Sequence, residues 1–323
     1  MKKGLKIARN VSLFLLFEII YIPLLAVLLI FYTPYFTNTK EMIVTTAMTT
    51  MTHQYFATWF LSEDEINEIL AKNRPSENLE DQVVEDIVVN SNADDGIELV
   101  DVSSSSFKGY LLIINDPSRV KLASAPNLGV VGSTTSQIVE YYDAVAGINA
   151  SGFADDALGT GGKVAGLVMQ DGKVVNELSN SYGSVVGITE DNVLVVSNSF
   201  TMSNLKKLKV RDAAEFGPVI IINGQPTITS GNGGYGIQPR TAIAQRQDGA
   251  VLFLVIDGRQ KDSVGATLKN VQDILLQYGA YNAFNLDGGA SSTMVYNGKV
   301  INNPSDMLGE RYVPNAFIVT KAK

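Results

Sequence analysis

The sequence predicts a mixed α+β fold: one strand-rich domain with a prominent strand–helix–strand unit, preceded by a membrane-crossing helix and a stalk. Three observations carry that expectation. Short apolar runs recur between glycine-containing turns from near Asp86 onward. The stretch SVGATLKNVQDILLQYGA repeats Val264, Leu268, Val271, Ile274, Leu275 and Tyr278 at helical spacing. Val11–Tyr32 is apolar except for Ser12 and Glu18.

As a helix, Val11–Tyr32 would extend roughly 33 Å, about one hydrocarbon core. Lys2, Lys3, Lys6 and Arg9 precede it with no acid among them, which predicts a cytoplasmic N-terminus and an extracellular remainder. A cleaved signal peptide is the rival reading. Its apolar core would be shorter and no small-x-small site follows Tyr32, so residues 1–35 are read as an uncleaved anchor. Pro23 is tolerated in a membrane helix, and Glu18 is expected to snorkel towards the cytoplasm. Residues 36–85 read as a stalk: Met42–Leu61 is rich in Thr, Met and aromatics and nearly free of bases. Within it, Ser62 and Glu65 form a capping box before the short helix INEILAKN, which Pro75 ends. The acidic stretch Glu77–Asp86 reads as a linker or short helix, and the main domain is expected over 86–323.

Strands are expected at GYLLIIND, DAVAGINAS, GKVAGLVMQ, NVLVVSN, GPVIIING, TAIAQRQ, AVLFLVID, NAFNLD and NAFIVT. Asp171-Gly172, Asn223-Gly224, Asp248-Gly249 and Asn297-Gly298 sit between such runs and read as hairpin turns. The helix over 263–280 is closed by Gly279 and lies between VLFLVID and AFNLD. If those two strands are parallel, Asp257 and Asp287 emerge at the same edge of the sheet, where backbone pairing stops and ligands bind.

Composition removes several chemistries. No cysteine is present, so disulfide scaffolds, zinc knuckles and thiol catalysis are excluded. The single histidine, His53, lies far from every motif, so acid–base work falls to Asp, Glu, Lys or Tyr. A net charge of −8 argues against nucleic acid as a partner. Neither a Walker loop nor G-x-G-x-x-G after a first strand is present.

The candidate chemistry gathers around NAFNLDGGASSTMV. Asp287 ends a strand, Gly288 and Gly289 allow close approach, and Ser291, Ser292 and Thr293 offer hydroxyls and backbone donors. In isolation Asp-Gly-Gly is a weak signal and reads first as a structural turn. SGNGGYGIQPRTAIAQ carries Arg240, a fork for phosphate or one half of a salt bridge, and Tyr235, a platform for a sugar or an ordinary loop residue. Asn149, in GINASGF, orders a sugar hydroxyl or forms an Asx-turn. Asp155-Asp156 is a cation ligand pair or a solvated acidic loop. Calcium or magnesium is compatible with the carboxylates, but no ligand spacing demands a metal.

Taken in order, PRTAIAQ, IDGR, YNAFNLDGGASSTMVYNG, NNPSD and GERYVPNAFIV resemble the phosphodiester glycosidase family over roughly residues 97–320. GINASGF is a looser match, with Ala150 and Ser151 where the family usually has glycines, and Ala244 stands where it often has Gly. The resemblance implies cleavage between a sugar's anomeric carbon and a phosphodiester. It implies Asp287 as the carboxylate at the sugar, Asp257 as second acid, base or water-orienting group, and Glu310 as an alternate acid. Arg240 would neutralise the phosphate, Arg311 would assist it, and Asn149 and Ser292 would position hydroxyls. Thr241, Tyr235, Gly288, Gly289, Ser291 and Asp306 complete the implied substrate-binding set. The expected protein is a membrane-anchored extracellular hydrolase acting on a glycan or sugar phosphate of the cell envelope or of an exported polysaccharide. A non-catalytic glycan-binding or polysaccharide-assembly protein of the same fold is the rival, and a purely structural Asp287 turn is a third reading.

Overall fold

The computed structural model describes residues 2–50, 53–76, 82–90, 94–154, 159–178 and 182–322. Its chain divides into two compact units, 1–72 and 73–323. In the first, helix Lys2–Tyr32 contains the stretch Asn10–Tyr32, long and apolar enough to cross a membrane. Helices Thr37–Met48, Tyr55–Thr58 and Glu63–Asn73 follow. Phe31, Val44, Ala47, Ala57, Leu61 and Ile66 form the core of this unit. The expected capping box is present: the Ser62 N–H donates to Glu65 Oε2 at 2.9 Å and the Glu65 N–H to Ser62 Oγ at 3.3 Å. A cavity of about 490 Å³ here, bordered by Phe31, Tyr32, Lys40, Glu41 and Lys72, contains none of the candidate site residues.

The second unit opens earlier than Asp86. The Asn73 side chain accepts from the Asn232 N–H at 2.9 Å, and the Ser76 N–H donates to the Thr227 carbonyl at 2.9 Å. Among the described residues its strands form three antiparallel sheets of seven, five and five strands. The seven-stranded sheet runs Ile97–Asp101, Gly109–Ile114, Val251–Ile256, Arg240–Arg246, Ala280–Leu286, Val219–Ile222, Gln225–Pro226.

Strand Val251–Ile256 shows why its sequence is continuously apolar rather than alternating. Val251, Phe253 and Val255 point into a core shared by all three sheets, with Phe284, Leu122, Ile148, Phe317, Val186 and Leu194. Leu252, Leu254 and Ile256 point the other way, against Leu268, Val271 and Leu275 of helix Leu268–Gln277. Both faces are buried, so both must be apolar. That helix begins later than its periodicity suggests. Thr267 caps it, exchanging bonds with Asn270 in a capping box, while Val264 lies before the cap and is exposed. Gly279, at φ +81°, follows its last turn. Buried Gln272 donates to the Ile228 carbonyl at 3.0 Å and accepts from the Ile228 N–H at 2.9 Å, so a polar side chain satisfies a backbone the sheet leaves open.

The four Asp-Gly and Asn-Gly pairs are hairpin turns. Asp171-Gly172, Asn223-Gly224 and Asn297-Gly298 have both residues at positive φ, as a two-residue primed turn requires. At Asp248-Gly249 only the glycine is left-handed, and the Arg246 N–H closes a longer loop onto the Ala250 carbonyl.

Candidate active site

The strand–helix–strand unit delivers two aspartates to one edge. Strands Val251–Ile256 and Ala280–Leu286 do not pair with each other; strand Arg240–Arg246 lies between them, antiparallel to both. They are therefore parallel, and the edge where each ends is the edge where the middle strand begins. Arg240 pairs with Ile256, and Thr241 with Leu286. Continuing that register by one step sets Arg240 beside Asp287.

The backbone there is packed with little clearance. A Cβ on Gly258 would lie 2.8 Å from the Pro239 nitrogen, and one on Gly288 would lie 2.8 Å from the Pro239 carbonyl oxygen. Each Asp-Gly thus uses its glycine to pass close to the Pro239 backbone, Gly258 at its nitrogen and Gly288 at its carbonyl. The Gly289 N–H also donates to the Pro239 carbonyl at 2.9 Å.

Asn149 ties the edge together. Wholly buried at the end of strand Ala144–Asn149, it donates to the Asp287 carbonyl at 2.6 Å. Its own Oδ1 accepts from Thr241 Oγ1 at 2.9 Å and from the Thr293 N–H at 3.1 Å. The Asp287 N–H donates to the Ala150 carbonyl at 2.9 Å. Asn149 and Thr241 therefore fix the loop that bears Asp287, and the Asp287 residue itself is only half-buried.

Asp257 is different. It is buried, and its carboxylate accepts from Asn302 Nδ2 at 2.9 Å and from the Asn303 N–H at 3.0 and 3.1 Å. Burial raises its pKa, opposed by the bonds from Asn302 and Asn303, with Asp262 adding to the rise. Its carboxylate holds the 302–303 segment.

Arg240 is buried among carbonyls. Nε donates to Ala266 at 3.0 Å, and Nη2 donates to Tyr235 at 2.9 Å and Gly236 at 2.6 Å. No carboxylate among the described residues pairs with it. Burial pulls its pKa down to about 9; Tyr235 opposes this and the charge of Arg259 adds to it. It stays cationic at neutral pH, and a buried cation without an acid is a place for an anion.

Arg259, at φ +60°, donates to Gln238 Oε1 from Nε at 3.2 Å and Nη2 at 2.6 Å. Its Nη2 would lie 3.2 Å from a Cβ on Gly289. Although the residue as a whole is exposed, its head lies against Gln238 and Gly289, and desolvation followed by the charge of Arg311 lowers its pKa. Arg311 in turn sits over the Phe153 ring, 4.9 Å from its centroid.

The remaining expected residues divide. Ser291 and Ser292 are buried beside the glycines, and Ser292 Oγ has no protein hydrogen-bond partner. Tyr235 is exposed and enters through its carbonyl on Arg240. Glu310 accepts from the Ser136 N–H at 3.0 Å, in the first turn of helix Thr135–Tyr141, which makes it a loop anchor. Asp306 shapes a turn, its Oδ1 accepting from the Leu308 N–H at 3.0 Å. Asp155-Asp156 lies outside the described residues. Among those described, no group of three or more carboxylate or histidine side chains is disposed to hold a metal.

A family model described as phosphodiester glycosidase matches residues 142–320, more than half of the chain. The chain belongs to the phosphodiester glycosidase family. The match begins later than the resemblance read from motifs and takes in Asn149, Arg240, Asp257, Asp287 and Arg311. The chain is 30% identical over 189 residues to the SPbeta prophage-derived uncharacterized protein YomE of Bacillus subtilis, covering 54% of the chain and 28% of YomE. It is 40% identical over 70 residues to the bovine N-acetylglucosamine-1-phosphodiester alpha-N-acetylglucosaminidase, covering 22% of the chain and 13% of that protein. The chain thus spans less than a third of the length of these curated relatives. A solved structure of the zebrafish enzyme's catalytic domain, auto-inhibited by its pro-peptide, shares the fold. Its TM-score is 0.61 at 21% identity, over 73% of this chain and 87% of that one.

Four members of the candidate site were not read from the sequence: Arg259, Gln238, Asn302 and Asn303. Arg259 had a local signal, an arginine directly after Asp-Gly in IDGR. The asparagine pair in NNPSD had none pointing to Asp257, since its contact spans 45 residues.

Proposed function

We propose that the chain is a membrane-anchored hydrolase that cleaves the bond between a sugar's anomeric carbon and a phosphodiester, in a cell-envelope or exported glycan outside the cell. One observation carries this reading beyond the family: the buried Arg240 guanidinium, facing no carboxylate, begins its strand at the edge where Asp287 ends another. The sugar gains positive charge as the bond to phosphate breaks, which a carboxylate stabilises. The departing phosphate keeps the electron pair and needs cations beside it. Asp287 is assigned to the sugar, with Arg240, Arg259 and Arg311 at the phosphate. Ser292, with its unpartnered Oγ, is assigned to a sugar hydroxyl. Asn149, Thr241 and Asp257 are positioning residues. The helix containing Asn10–Tyr32 is assigned as the anchor, with the basic residues before it in the cytoplasm. The net charge of −8 supports a glycan or sugar-phosphate partner over nucleic acid.

The test follows free reducing sugar released from a panel of sugar-1-phosphodiesters by the full chain in detergent, with and without chelator. Release that disappears in Asp287→Asn with its fold intact supports the reading. Release that survives in Asp287→Asn removes Asp287 from the chemistry, and binding without release favours a glycan-holding role.

A further inference from the structure

We propose that the substrate's phosphate is esterified on its far side to a hydrocarbon: a glycosyl phospholipid, recognised by an apolar tip on the loop that borders the site. This rests on the hydrolase reading above and deepens it.

The loop runs from Asn302 to Val313, and both its stems are fixed at the site. One stem is gripped by Asp257 through Asn302 and Asn303. The other carries Arg311 over Phe153 and ends at Val313, which exchanges backbone bonds of 2.9 and 3.0 Å with Ser133. Between them the Asp306 carbonyl accepts from the Gly309 N–H at 3.1 Å, closing a turn. At the apex of that turn stand Met307, 99% exposed, and Leu308, 94% exposed.

Turn apices usually carry small or polar residues. Two adjacent large aliphatics at nearly full exposure contribute nothing to packing in this fold, yet they stand on a loop held at both ends beside the candidate active site. The apolar surface continues along the loop. Tyr312 is 43% exposed, and a Cβ on Gly161 would lie 2.1 Å from its carbonyl. The neighbouring Gly162 packs against Val130, 76% exposed, with a Cβ there 2.7 Å from the Val130 carbonyl carbon.

The candidate site thus gathers a carboxylate at Asp287, guanidinium groups at Arg240, Arg259 and Arg311, and hydrocarbon at the apex of a loop one of whose stems carries Arg311. A sugar joined through phosphate to an alkyl chain has a part for each of these three kinds of group. The same chain carries a helix long and apolar enough to cross a membrane, the surface on which such a substrate resides. In the reaction, a water oxygen bonds to the anomeric carbon while the bond from that carbon to the phosphate oxygen breaks. The electron pair leaves with the phosphate. One water proton remains on the new sugar hydroxyl, and the other goes to the alkyl phosphate monoester or the medium.

The experiment compares methyl and dodecyl phosphodiesters of one sugar, using the full chain and its Met307→Ser/Leu308→Ser double variant in the same detergent. Wild type is expected to favour the dodecyl ester roughly ten- to hundred-fold in kcat/KM, and the double variant to lose most of that preference. Equal values in wild type, or a preference that survives the substitutions, overturn the proposal. If neither ester releases sugar, the hydrolase reading fails separately, and equilibrium binding of dodecyl phosphate against methyl phosphate decides. Tighter dodecyl binding that the double variant loses supports the apolar tip; equal binding overturns it. Loss of vesicle binding in the double variant with the ester preference unchanged assigns the tip to the bilayer and also overturns the proposal.

Discussion

Asp257-Gly258 and Asp287-Gly288 follow two parallel strands at one edge, and each glycine passes close to the Pro239 backbone. Their carboxylates nevertheless meet different fates. Asp257 is enclosed, with the Asn303 N–H and the Asn302 amide on its oxygens. Asp287 is held through its backbone, by Asn149 at its carbonyl and Ala150 at its N–H, and the residue remains half-buried. A carboxylate held by side-chain acceptance has spent its lone pairs on the fold. The same Asp-Gly pair thus follows one strand as an enclosed anchor and the other as a half-buried residue whose backbone is tied to Asn149 and Ala150.

The widest gap between them is expected in catalysis. Asp287→Asn should lower kcat by about 10²–10⁴, the range for losing a positioned catalytic carboxylate, with little change in thermal stability. Asp257→Ala should do the reverse. It leaves the buried Asn302 amide and the part-buried Asn303 N–H without that acceptor and should cost about 1–3 kcal/mol in denaturant unfolding, while kcat falls by less than about tenfold. If Asp257→Ala proves as damaging to kcat as Asp287→Asn at matched stability, the contrast is broken and both are catalytic. Between these in size lies Arg240→Lys. The charge is kept but the fork is lost, so the Ala266, Tyr235 and Gly236 carbonyls lose donors. Its kcat/KM should fall about ten- to hundred-fold, and an unchanged value would remove Arg240 from the phosphate.

These contrasts were unevenly legible in the sequence. Hairpin turns, the Ser62–Glu65 capping box and the helix between the two aspartates rest on residues close together in the chain, so local patterns disclosed them. The parallel relation of the two strands followed from the crossover, although the intervening strand Arg240–Arg246 did not. What distinguishes Asp257 from Asp287 lies in contacts across 45 and 138 residues, made by asparagines whose local setting reads as a turn. The fate of Arg240 was equally hidden. Sequence offers a salt bridge or a phosphate for such a residue, whereas its protein partners are three carbonyls. The contact that draws Asn73 into the second unit is equally non-local: Asn73 closes a helix in sequence but bonds Asn232 in space. The exposure of Met307 and Leu308 follows from the turn closed between Asp306 and Gly309, which no local pattern signals.

The smallest effect separates the two aspartates by pH. Burial raises the Asp257 pKa in the folded protein above the ordinary 3.8, despite the bonds from Asn302 and Asn303. Over the interval between the unfolded and folded values, the native state binds more protons than the unfolded chain. Stability contributed by this group therefore falls as pH rises through that interval. Asp212, also buried and raised, contributes in the same direction against the opposing charge of Arg211. Asp94 and Asp101 are lowered by their hydrogen bonds and contribute in the opposite direction, so the informative quantity is the difference from wild type. Asp257→Asn should lose a component of declining stability that begins near pH 4 and runs upward, as measured by denaturant midpoints across that range. An unchanged pH profile would mean that the two asparagines offset burial and that Asp257 ionises as readily folded as unfolded. The difference between the two strand ends would then lie in access alone.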